Sequence, residues 1–144
     1  LRRDYMSVGT RLPAHATSPG KVLMAALPPE ALDGLLARVA LEQRLTPRTI
    51  ADRGALTAEL VQARRRGYAV NDQETIMGLR SISVPVTVGG RVAAALGMST
   101  EVARVTIAEM EASFLPRLRE TAAAIAAAME ARERGESLTI APWR

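Results

Sequence analysis

The period of the apolar positions changes repeatedly along this chain, and each change marks an element. After Ser18-Pro19-Gly20-Lys21 comes Val22-Leu23-Met24-Ala25-Ala26-Leu27, which reads as a helix with Ser18 as N-cap and Pro19 at the first helical position, where a missing N–H costs nothing. Pro28-Pro29-Glu30 breaks and restarts the chain. Leu32, Leu35, Leu36 and Val39 then give the three- and four-residue spacing of a second, short helix. Gln43 to Pro47 is a connector. Thr49 with Asp52 resembles a capping box, and Leu56, Leu60 and Ala63 carry one apolar face to Gly67, a helix C-cap. Tyr68-Ala69-Val70 turns extended, Asn71-Asp72-Gln73-Glu74 is a polar loop, and Gly78 lets the backbone turn into the next strand.

From Ser81 to Ser99 the period drops to two, the mark of a β-hairpin. Ile82, Val84, Val86 and Val88 alternate with Ser81, Ser83, Pro85 and Thr87, and Val92, Ala94, Leu96 and Met98 alternate with Arg91, Ala93, Ala95, Gly97 and Ser99. A two-residue loop at Gly89-Gly90 pairs Val88 with Arg91 and mixes serines with bulky residues on one face. A three-residue loop of Val88, Gly89 and Gly90 pairs Thr87 with Arg91 and collects the bulky apolar residues together, so that loop is expected. The other face then carries Ser81, Ser83, Ala93, Ala95, Gly97 and Ser99. Such a face receives a closely packed helix or floors a cavity. Its serines favour a pocket, because hydroxyls without partners are costly to bury.

A last long helix is expected from Thr106 to Arg134, with Ile107, Met110, Phe114, Leu118, Ile125 and Met129 at helical spacing and a kink near Ala112 caused by Pro116. It covers the apolar sheet face or a partner. Beyond Gly135 a short tail carries Trp143, the only tryptophan.

Composition narrows the function. The 144 residues make one domain, and 48% hydrophobic with 24% charged residues is the balance of a globular protein. No apolar run is long enough for a membrane span and no signal peptide opens the chain, so a cytoplasmic protein is expected. The start at Leu1, without an initiator methionine, reads as a fragment or trimmed domain. Zero cysteines exclude thiolate chemistry, and a single histidine, His15, excludes His-rich metal sites. The net charge of +4 comes from one lysine, Lys21, and arginines scattered along the chain. Arg64-Arg65-Arg66 is the densest cluster, but with 3% aromatic residues there is no base-stacking platform beside it.

The helix start after Ser18 is an anion site by design: free N–H groups and the positive end of the dipole favour a carboxylate or phosphate. It is not a nucleotide P-loop, since His15 and Val22 stand where that motif needs glycine and a hydroxyl residue. No Gly-x-Ser-x-Gly elbow is present for a serine nucleophile. Asp72 and Glu74 remain the residues a small hydrolase or cation-dependent enzyme would use, and a pure oligomerisation module with a filled sheet face is the other alternative.

Five ordered segments carry a resemblance. Val8-Gly9-Thr10-Arg11-Leu12-Pro13-Ala14-His15-Ala16-Thr17, Gly20-Lys21-Val22-Leu23-Met24-Ala25, Leu45-Thr46-Pro47-Arg48-Thr49-Ile50, Gly67-Tyr68-Ala69-Val70-Asn71-Asp72-Gln73-Glu74 and Gly78-Leu79-Arg80-Ser81-Ile82-Ser83-Val84-Pro85-Val86 resemble the C-terminal effector-binding domain of IclR-family transcriptional regulators. Asn-Asp-Gln-Glu and Gly-Leu-Arg-Ser-Ile-Ser-Val-Pro-Val are similar to the branch that regulates β-ketoadipate and aromatic-acid catabolism.

The resemblance implies an α+β, GAF-like antiparallel sheet flanked by helices, truncated at its N-terminal side, with the winged helix-turn-helix that binds operator DNA outside residues 1–144. It implies a homodimer or homotetramer that senses a small organic or aromatic acid, with no catalysis, cofactor, metal or membrane. By motif position the ligand is held by Leu12, Ser18, Pro19, Asn71, Leu79, Ser81, Gly97 and Ser99. Pro19 cannot donate a hydrogen bond, so the amides of Gly20 and Lys21 are expected to capture the anion beside the Ser18 hydroxyl. Asn71 stands where some members carry aspartate, and its neutral amide both donates and accepts.

Overall fold

The computed structural model describes residues 7–41 and 44–136. The residues before Ser7, Gln43 in the first connector and the tail with Trp143 lie outside them. A 3-10 turn, Ala14–Ala16, leads into α1, Ser18–Ala25, followed by α2, Pro29–Leu36, and α3, Arg53–Arg66. Three strands come next: β1, Ala69–Asp72, β2, Leu79–Val88, and β3, Arg91–Glu101. The chain closes with α4, Ile107–Glu109, a π-helical turn at Met110–Phe114, and α5, Leu115–Glu133.

The strands form an antiparallel sheet in the order β1-β2-β3. The expected three-residue loop is absent. Val88 pairs with Arg91, leaving the two-residue turn Gly89-Gly90, and both glycines sit at positive φ, 54° and 76°, as the turn that suits a twisted hairpin requires. What restores the pattern is a bulge: Thr87 opposes Val92 while Val86 opposes Ala94, so Ala93 is an extra residue on β3. One inserted residue reverses the facing of everything beyond it. Ser81 therefore lies opposite Ser99, Ser83 opposite Gly97 and Pro85 opposite Ala95, and the small-residue face exists as expected, reached by a different loop.

Each face is covered by its own layer. Ile82, Val84, Val86 and Val88 pack with Met110, Leu115, Leu118, Ala122 and Ala126, so the last helix covers the bulky apolar face. On the other side Val22, Met24, Ala25, Leu36, Leu41, Leu56, Leu60 and Ala63 pack with Ala69 of β1. Pro116 does not simply kink the helix. Leu115 N–H reaches back five residues to Met110 carbonyl, and the wide turn absorbs the missing donor so that the helix runs on.

Two caps differ from expectation, the first by one residue and the second by three. Thr17, not Ser18, caps α1, its Oγ1 accepting from Gly20 N–H at 3.2 Å. Asp52 alone caps α3, accepting from Ala55 N–H at 2.7 Å. Thr49 is drawn elsewhere: its Oγ1 accepts from Leu45 N–H and Thr46 N–H and donates to the Glu74 carbonyl.

Candidate functional site

Ser18, released from capping, points at the sheet. Its Oγ lies 2.8 Å from both Ser81 Oγ and Ser83 Oγ, so a hydroxyl from α1 joins two hydroxyls of β2 in a buried cluster. Ser18 and Ser83 are fully buried and Ser81 nearly so. Over its Ser81–Ser83 part the small face receives a closely packed helix, α1, instead of flooring the pocket that its serines favoured, and the hydroxyls partner one another, which removes the penalty of burying them. Across the sheet Ser99 and Gly97 are exposed on β3, and Leu12, Pro19 and Leu79 are half-buried. A Cβ at Gly97 would collide with Ser83 Oγ, which is why the strands can approach here with a serine between them.

The helix-start amides expected to capture an anion are bonded within the protein. Gly20 N–H is bonded to Thr17 Oγ1 and Lys21 N–H to the Thr17 carbonyl at 3.0 Å. The 3-10 turn also presses against Gly20, where a Cβ would overlap the Ala14 backbone. Both amides are thus engaged inside the protein.

Lys21 matters instead through its side chain. It is 1% exposed, and Nζ donates to Glu74 Oε1 at 2.5 Å and to the Val70 carbonyl at 3.1 Å. Burial pushes the Glu74 carboxyl up from its ordinary pKa, and this outweighs the opposing attraction and hydrogen bond of Lys21. Asn71 builds the adjoining turn: Oδ1 accepts from Glu74 N–H at 2.8 Å and Nδ2 donates to Thr75 Oγ1 at 2.6 Å. Its amide is therefore engaged inside the protein, and Asn71, Ser81 and Ser99 form one row across the three strands.

Asp72 and Glu74 do not act together. Asp72 is gripped by Arg48 at 2.8 Å and Arg80 at 2.9 Å, while Glu74 turns inward to Lys21. Among the described residues no group of three or more His, Asp or Glu could hold a metal ion. Two surface clefts, of about 110 and 310 Å³, sit beside Gly67 and Pro85 on the far half of β2, and neither is lined by an expected site residue.

His15 lies buried in the 3-10 turn, with Nε2 lacking a hydrogen-bond partner. Burial first, then the nearby Lys21 charge, pulls its pKa below 6.5. The folded state thus resists protonating His15. Its contribution to stability is complete above pH 6.5 and is lost as pH falls through the lower folded-state value. Melting temperature measured from pH 7.5 to 5 should drop more steeply for wild type than for His15→Gln; parallel curves would remove His15 from the acid response.

The family model for the C-terminal domain of the bacterial transcriptional regulator IclR matches residues 2–127. The chain belongs to the IclR family. The Pca regulon regulatory protein of Pseudomonas putida is 48% identical over 114 residues, covering 78% of this chain and 39% of that protein. A putative transcriptional regulator from Rhodococcus sp. RHA1 shares the fold at a TM-score of 0.84 and 41% identity, covering 87% of this chain and 51% of that one. The inducer-binding domain of a PobR double mutant from Acinetobacter, solved with 3-hydroxybenzoic acid, matches at a TM-score of 0.79 and 36% identity, covering 83% and 69%. The GAF-like α+β arrangement of this IclR chain is therefore that of its structural neighbours, and the chain spans about half or less of the first relatives it matches. These relatives are regulators rather than enzymes, and no helix of the described residues is long and apolar enough to cross a membrane.

Proposed function

We propose that this domain senses a small aromatic or other organic acid for a cytoplasmic IclR-type regulator, and that the effector biases how two or four copies pack. An effector can do this only by binding one packing more tightly than the other. Operator DNA is read by a part of the regulator outside this chain. The observation that carries the reading is the likeness to an inducer-binding domain solved with 3-hydroxybenzoic acid. The small-residue face of β2 and β3 supports it.

The residues take revised roles in this reading. Leu12 and Leu79 offer apolar contact, and Ser81 and Ser99, opposed across β2 and β3, offer hydroxyls to a carboxylate or phenol. Ser18, Pro19, Gly20, Lys21, Asn71 and Gly97 form the surrounding frame, with Ser18 hydroxyl bound to Ser81.

Calorimetry of the wild type against 3-hydroxybenzoate, 4-hydroxybenzoate and a panel of aliphatic acids tests it. At least one acid should bind, and Ser99→Leu, at an exposed position, should weaken it at least tenfold, with Ser81→Leu doing the same. Equal affinity in wild type and Ser99→Leu would sink the site, and no binding across the panel would sink the sensing role. Native mass spectrometry should show a dimer or tetramer.

A further inference from the structure

We infer that Lys21 and Glu74 are positioning residues: their buried contact holds the turn Asn71–Thr75 against the start of α1 in the geometry that effector recognition needs. This rests on the sensing role proposed above.

A buried ion pair is a poor way to gain stability, because apolar side chains of similar volume commonly serve as well once the cost of desolvation is counted. What such a pair supplies is a single geometry. Lys21 Nζ reaches from α1 to two points of the next layer, the Val70 carbonyl on β1 and Glu74 Oε1 in the turn. The turn is held from its other sides as well. The Glu74 carbonyl accepts from Thr49 Oγ1 at 2.7 Å, the Gln73 carbonyl accepts from Thr46 Oγ1 at 2.7 Å, and Thr75 Oγ1 donates to the Ala16 carbonyl at 3.4 Å.

Gln73 is the only non-glycine residue at positive φ among the described residues, 64°, and such a backbone persists only where its surroundings over-determine it. Its side chain closes the next turn by accepting from Gly78 N–H at 3.1 Å. The far end of this segment is Leu79, and its near end is Asn71 in the Ser81–Ser99 row, so displacement of the turn moves two expected ligand contacts at once. The other holds on the turn are hydroxyl and amide contacts and the pairing of Asp72 with Arg48 and Arg80, none of which reaches α1; the Lys21–Glu74 pair is the one that ties the turn to that helix.

The test separates positioning from stability. Lys21→Met/Glu74→Met removes both charges and fills the space, and should melt near the wild-type temperature. Amide hydrogen exchange at Gln73, Glu74 and Gly78 should nevertheless quicken at least tenfold, with the β2–β3 amides unchanged. Glu74→Gln keeps an oxygen in reach of Lys21 Nζ but leaves the buried ammonium without a counter-charge, and should show the reverse pattern: a lower melting temperature with turn protection within threefold of wild type. Protection that follows melting temperature across the three proteins, or an unchanged turn in the double variant, overturns the inference. For an acid that wild type binds, the double variant should raise Kd at least tenfold, and a change under twofold also overturns it. Failure of wild type to bind any acid strikes the sensing role, whereas the exchange pattern still judges the hold on the turn.

Discussion

Lys21→Met should lower unfolding free energy at pH 7.5 by about 3–5 kcal/mol, the range for a buried pair stripped of one partner. The residue left behind decides the size. Glu74 is nearly as buried as Lys21, and its Oε2 has no hydrogen-bond partner even in the intact pair, so the substitution leaves both carboxylate oxygens without one. Proton uptake offers the variant an escape. The Glu74 pKa is already raised, and removing Lys21 takes away the two strongest opposing influences, so it rises further. A carboxyl whose pKa is higher folded than unfolded stabilises the fold below its unfolded value and loses that contribution as pH rises through the folded one. The deficit of Lys21→Met should therefore shrink as pH is lowered from 7.5 to 5. Urea denaturation at several pH values measures this, and a deficit that ignores pH would mean that the stranded carboxylate is not its source.

Gly20→Ala should be the second most damaging change, although alanine ordinarily favours a helix over glycine by about 1 kcal/mol. The added methyl would overlap the Cα, carbonyl carbon and oxygen of Ala14. Those atoms are backbone of the 3-10 turn and cannot rotate away as a side chain would. To make room, α1 must shift, disturbing both the Thr17 cap and the Ser18 bonds to Ser81 and Ser83. A loss of about 3 kcal/mol, the upper part of the usual overpacking range, is expected. Gly34→Ala in α2 is the control, since nothing lies near its added methyl, and it should be neutral or stabilising by up to about 1 kcal/mol. Thermal unfolding of both variants beside wild type reads the contrast; a Gly20→Ala protein as stable as Gly34→Ala would show that the turn yields easily.

Much of the architecture could be read from residues because it is periodic. Ile82, Val84 and Val86 announce one buried face, and Leu56, Leu60 and Ala63 announce one helix stripe. The bulge could not be read, because Ala93-Ala94-Ala95 offers identical side chains and hence no mark of which one is surplus. The helix cap slipped by one for a similar reason: Thr17 and Ser18 are both good caps, and only the sheet beneath decides that Ser18 is needed elsewhere.

Long-range polar pairing was the larger gap. Local spacing set Glu74 beside Asp72, whereas the fold sends one to Lys21 and the other to Arg48 and Arg80. A signal did exist. Lys21 is the sole lysine among many arginines and is followed by Val22, Leu23 and Met24, an apolar setting that calls for a counter-ion. The family was legible in ordered motifs, while the ligand geometry hung on contacts between segments far apart in sequence.

The surplus alanine of β3 has a wider meaning for how such a domain can diverge. Deleting Ala93 would leave a regular two-residue hairpin in which Val86 still opposes Ala94, Val84 Leu96, Ser83 Gly97 and Ser81 Ser99, so every side chain beyond the tip would keep its layer. The strand can thus give up one residue near its tip without exchanging the hydroxyl-lined wall farther along for a hydrocarbon one, which leaves the tip free to vary in length while recognition at the other end is kept.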